Sequence, residues 1–182
     1  MKKLMNLPRT LTLALACAAL AISHFPAPAD GPSTNAVAIR VTTGNTFALV
    51  PTSDPNVFGH PVDGVAQVSV MGNCHFHGEG TVYLPSSAGQ PIRIISSSPW
   101  TLTSSDGANS LKFDTEGTAT FDPANPLFAN ITYKVTFVGG TGRFAQATGT
   151  GTMEVTAEFT SALDGLANWT LKGVVIPSKA SN

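Results

Sequence analysis

Polar and apolar residues alternate through the C-terminal half of the chain. Between residues 145 and 160, Ala145, Ala147, Gly149, Gly151, Met153, Val155, Ala157 and Phe159 hold one parity. Gln146, Thr148, Thr150, Thr152, Glu154, Thr156, Glu158 and Thr160 hold the other. A period of two puts one set on each face of a β-strand, whereas a helix would mix them around its circumference. The run is about three times the usual strand length of roughly 5–6 residues. Such a strand has to bend, and Gly149 and Gly151 on the apolar face are where bending costs least. Long, bent antiparallel strands predict a closed barrel, which also removes exposed edges.

The same period recurs elsewhere. Ile131, Tyr133, Val135 and Phe137 alternate with threonines and Lys134, and Val37, Ile39 and Val41 mark a first strand over residues 36–43. Residues 65–84 read as one long strand or a bulged pair with its even positions inside. Residues 46–50, 92–95, 100–104, 110–115, 118–121 and 166–176 complete about eight to ten strands, and 105–109 is a hairpin turn. Residues 51–63, with Pro51, Pro55, Gly59 and Pro61, read as a loop holding His60, and 122–130 as another. No helix of useful length is expected. The fold class is all-β, a single antiparallel closed barrel of about eight strands.

Gly139-Gly140-Thr141-Gly142 joins two of these strands and is followed by Arg143. A phosphate cradle would need a Lys-Ser/Thr pair and a helix next, and neither is present, so the glycines predict a turn. Gly-Gly-Thr-Gly-Arg-Phe-Ala-Gln-Ala-Thr-Gly resembles the hairpin signature of the allene oxide cyclase-like and dirigent-like barrels, which include secreted bacterial members. The resemblance is sharp over residues 136–151 and looser over 64–81 and the last strand. It implies an eight-stranded antiparallel barrel with a central cavity. No catalytic residue of those enzymes matches a position here.

Charged residues make up only 12% of the chain, against about 25% in typical domains. Residues 1–29 read as a secretory signal: Lys2, Lys3 and Arg9 precede an apolar core over 11–22, and Ala27-Pro28-Ala29 offers a cleavage site before Asp30. The core is too short to span a membrane. A single barrel domain is expected over 30–182, in a secreted or periplasmic location. Losing three cations takes the net charge from −1 to −4, and no basic patch suits nucleic acid or an anionic membrane. With Cys17 removed, Cys74 remains as a small buried hydrophobe.

Asn73-Cys74-His75-Phe76-His77-Gly78-Glu79 is the one cluster of ligand-type residues. His75 and His77 share a strand face and could chelate zinc if a third ligand, His60 or an Asp, joined them. Their parity is opposite to Val68, Cys74 and Phe76, which makes them an outer, solvated pair. Were the polar face turned inward, His75, His77, Glu79 and Tyr83 would instead line a cavity as acid–base groups. The apolar parity nominates Cys74, Phe76, Tyr133, Phe137, Met153 and Trp169 as cavity residues, with Cys74 and Tyr133 its only polar members.

Three functions fit these patterns. The first is a secreted barrel that binds a small apolar ligand or a partner without turnover and without a cofactor. The second is a cyclase- or isomerase-like enzyme guiding an apolar substrate, as the resemblance would allow. The third is a metal-binding surface built on His75 and His77. The first accords best with an apolar interior.

Overall fold

The computed structural model describes residues 36–87 and 90–177. The leader expected at residues 1–29, with Cys17, lies outside the described residues. Nine strands form one antiparallel sheet: β1 (Val37–Ala48), β2 (Val50–Pro51), β3 (Val57–Val68), β4 (Gly72–Tyr83), β5 (Ile92–Ser104), β6 (Ser110–Asp122), β7 (Asn125–Thr141), β8 (Thr148–Phe159) and β9 (Asp164–Ile176). Each of β3 to β9 pairs with its chain neighbour, and β9 pairs with β1. β1 returns to β3 through Val41–Val68, Thr42–Gln67 and Thr43–Ala66, closing an eight-stranded barrel that the two-residue β2 extends at one edge.

The alternation sets the wall. Val41, Val68, Phe76, Leu102, Leu111, Phe113, Phe137, Met153 and Leu171 point inward and are buried. Arg40, Lys112, Asp114, Glu116, Lys134, Glu154, Glu158 and Lys172 face out. A barrel that crosses a membrane turns an apolar band outward, and this one does the reverse. No helix among the described residues is long and apolar enough to cross a membrane.

Most strands are longer and most loops shorter than the sequence suggests, but the run expected over 145–160 is a strand only over Thr148–Phe159, because residues 145–147 belong to the turn after Phe144. Residues 65–84 are two strands joined by a turn over 69–71, and Val68 faces Gly72, whose φ is +73°. That register keeps even positions inside on both arms, so the parity persists across the turn. The loop expected over 51–63 ends at Asn56, because β3 begins at Val57. Phe58, His60 and Val62 continue the inward set of Gly64, Ala66 and Val68, and Gly59 and Pro61 between them do not break the strand. Pro61 falls where β3 has no strand partner on its β1 side, the edge setting in which a strand tolerates proline. The loop expected over 122–130 shrinks to a tight turn between Asp122 and Asn125, closed by the Asp122 carboxylate accepting the Ala124 N–H at 2.8 Å. Ser96–Ser98, which fall between the strands expected over 92–95 and 100–104, lie inside β5 at a bulge.

One end of the barrel is plugged. After β7 a single 3₁₀ turn, Gly142–Phe144, carries Phe144 into the core, where it is 1% exposed. Of the turn expected over 139–142, Gly139, Gly140 and Thr141 are instead the last residues of β7, paired with Lys112, Leu111 and Ser110, and only Gly142 begins the turn. Gly142 has φ +57°, and a Cβ there would sit 2.5 Å from the Ala108 carbonyl oxygen. Arg143 lies over the Phe144 ring at 4.8 Å and donates to the Val70 carbonyl, strapping this turn to the β3–β4 turn.

Candidate functional site

The opposite half of the barrel holds a cavity of about 180 Å³. Its lining is almost entirely hydrocarbon and aromatic. Phe76, Trp100, Tyr133, Met153 and Trp169 form its inner part, and Leu49, Phe58, Leu84, Phe121 and Phe159 lie toward the loop-bearing end. The rings are mutually packed: Phe76 meets Trp169 at 5.0 Å and Trp100 at 5.4 Å, and Trp100 meets Tyr133 at 6.1 Å. These are offset and edge-on geometries that fix ring positions.

Local sequence explains why large rings fit there. Gly78 on β4 and Gly117 on β6 are inward positions without a side chain. A Cβ on Gly78 would sit 2.5 Å from Trp100 Cγ, and one on Gly117 would collide with the Tyr133 ring. The β4–β5 ladder shifts register around Glu79, and the Glu79 carbonyl accepts the Trp100 indole N–H at 3.0 Å. Glycines, bulge and hydrogen bond together hold Trp100 across the barrel.

Besides Tyr133, two polar side chains interrupt the hydrocarbon lining. His60 on β3 stacks edge-on against Phe47 at 5.9 Å and lies 6.5 Å from Trp100. Burial lowers its pKa from 6.5 to about 4, so the ring is neutral at physiological pH. Asn45 on β1 donates from Nδ2 to the Thr46 carbonyl at 2.8 Å. His60 Nδ1 and Asn45 Oδ1 are both buried and have no hydrogen-bond partner. Both stand beside a seam. Above Thr43 the ladder between β1 and β3 stops, and residues 60–65 of β3 carry no pairing on that side. β1 then turns away, and the Leu49 N–H bonds the Leu163 carbonyl in the β8–β9 turn at 2.7 Å.

Four of the six residues nominated from sequence, Phe76, Tyr133, Met153 and Trp169, line this cavity. Cys74 and Phe137 are buried but lie outside its lining. Cys74 sits near the β3–β4 turn, with Sγ 3.7 Å from the Gly72 carbonyl, and burial and then Asp106 raise its thiol pKa. Phe137 packs on Phe113 at 6.1 Å, toward the plugged end. Burial likewise pushes the Tyr133 phenol well above its ordinary range. His60, Asn45 and Trp100 were not nominated. The signal for His60 was its parity with Val62, Gly64 and Ala66, which the prolines obscured.

His75, His77, Glu79 and Tyr83 face outward on β4, so the inward-polar alternative is corrected: the inner parity is the apolar one. His77 Nδ1 lies 2.8 Å from Asp63 Oδ1 across the β3–β4 ladder. His60, suggested as a third zinc ligand, is on the opposite face of the wall. Among the described residues no three His, Cys, Asp or Glu side chains gather as a metal site would need.

No protein-family model and no curated protein matches the sequence. Among solved structures the chain is similar to that of the pterocarpan synthase dirigent protein GePTS1, with 12% identity over 84% of this chain and 92% of that one, and a TM-score of 0.40.

Proposed function

We propose that this chain is an exported β-barrel that binds a small apolar molecule in its cavity without transforming it. The observation that carries this reading is the cavity itself, about 180 Å³ walled by packed aromatic and aliphatic side chains. A concave apolar space of this kind is where a hydrophobic ligand gains most by leaving water. A cyclase-like reaction would call on an acid or a base. The titratable residues of the lining are His60 and Tyr133, and burial makes His60 a weaker base and Tyr133 a weaker acid than usual. That favours binding over acid–base turnover. Export rests on the leader pattern of residues 1–29.

The test is titration with N-phenyl-1-naphthylamine, an uncharged fluorophore that brightens in apolar surroundings. The protein should bind it saturably, and Ala157→Phe, which fills the cavity from β8, should weaken binding at least tenfold while leaving the fold intact. Equal binding by the two proteins would move the site elsewhere. The intact mass of secreted protein should begin near Asp30, and retention of residues 1–29 would remove the export reading.

A further inference from the structure

The cavity is not uniformly apolar, and besides Tyr133 two of its polar members share one property. Asn45 and His60 line it from adjacent strands, β1 and β3, at the seam where those strands part. Each carries a buried acceptor-capable atom without a partner, Oδ1 of Asn45 and Nδ1 of His60. Buried polar groups in native proteins are nearly always satisfied, so an unsatisfied pair in one wall calls for an explanation. The Asn45 amide is tethered, because Nδ2 already donates to the Thr46 carbonyl at 2.8 Å, which leaves Oδ1 as the open acceptor. A turn of the His60 ring about χ2, a soft torsion, changes which ring edge meets the cavity.

Asn45 Cβ lies 3.4 Å from the Cβ position of Gly64, four residues along β3 from His60. At roughly 3.3 Å per residue the two are stations along the wall, about 13 Å apart in strand length. Asn45 is the deeper and His60 the nearer to the loop-bearing end. An acceptor such as Oδ1 is satisfied by a donor. A cation would be desolvated here with no carboxylate in the lining to receive it, so the donor has to be neutral.

We propose that Asn45 and His60 are the polar recognition points of the cavity, and that its ligand is an uncharged, mainly hydrocarbon molecule bearing a hydroxyl group that donates to one or the other of them. This rests on the cavity-binding reading and names the class of ligand. It also gives the seam a role, because the break in the β1–β3 ladder is what leaves the two side chains beside an unpaired stretch of wall.

The experiment compares indan-2-ol with indane, an alcohol and its parent hydrocarbon, by quenching of the cavity tryptophans, Trp100 and Trp169. The proteins are the wild type and Asn45→Leu/His60→Phe, which keeps side-chain size and removes both polar points. The ratio of alcohol to hydrocarbon affinity should fall about tenfold in the double variant, with indane binding retained or improved. If that variant does not fold, at least one of the single variants Asn45→Leu and His60→Phe should lower the ratio in the same direction. An unchanged ratio with indane still bound would overturn this inference and leave cavity binding standing. Failure of the wild type to bind either probe would overturn both.

Discussion

His60 shows how much a single side chain can say once its surroundings are known. Its folded pKa of about 4 lies below the ordinary 6.5 because burial disfavours the charged ring. Above pH 6.5 both folded and unfolded states hold it neutral and it imposes no penalty. As pH falls from 6.5 to 4 the unfolded state takes up the proton first, so stability declines through that window and levels off below it. A drop from 6.5 to about 4 corresponds to on the order of 3 kcal/mol at most. His60→Phe should flatten this part of the pH–stability curve, measured by urea unfolding at pH 7 and pH 4.5. An equal slope in both proteins would mean that His60 is solvated. Gly78 offers a second residue-scale test. Gly78→Ala puts a Cβ 2.5 Å from Trp100 Cγ, and overpacking of this kind costs about 1–3 kcal/mol. The near-ultraviolet circular dichroism of the indole should change with it.

At the scale of elements, the β7–β8 hairpin and the β1–β3 seam behave oppositely. The hairpin is strongly specified. Gly142 occupies φ +57° against the Ala108 carbonyl, Phe144 fills the core, and Arg143 ties the turn to Val70. Phe144→Ala should cost about 3–5 kcal/mol, as truncation of a buried aromatic does, whereas Arg143→Ala removes an exposed strap and should cost about 1 kcal/mol or less. Thermal unfolding distinguishes the two. The seam is weakly specified, with three paired positions and one side-chain bond from the Thr43 hydroxyl to the Val65 carbonyl at 2.5 Å. Hydrogen exchange should therefore be fastest, among strand amides, in residues 60–65 and 44–48. Protection there equal to that of β7 would mean that the seam is closed in solution.

For the whole molecule, the barrel leaves half of its interior open while filling the other half with Phe113, Phe137, Phe144 and Leu111. Small residues explain the open half. Ala119, Ala129, Ala157 and Ala167 line it between its rings, at inward positions where larger side chains would take up the space. Ala157→Leu should raise stability by about 0.5–2 kcal/mol, as cavity filling commonly does, and should weaken binding of the apolar probe. A gain in stability with unchanged binding would show that the ligand sits beyond Ala157.

The two-residue period by itself determined the class, an all-β chain with Val, Phe, Met and Trp on one face and Thr, Lys and Glu on the other. It did so because successive strand residues must face opposite ways whatever the rest of the chain does. It also nominated Phe76, Tyr133, Met153 and Trp169, since inward parity is a local property. Only the tertiary structure decided which inward residues border empty space and which are packed, and so it separated those four from Cys74 and Phe137. It alone placed Asn45 beside the seam and His60 in the cavity, because the end of the β1–β3 ladder is set by how a closed barrel's strands meet, and no period along one strand records where its neighbour departs.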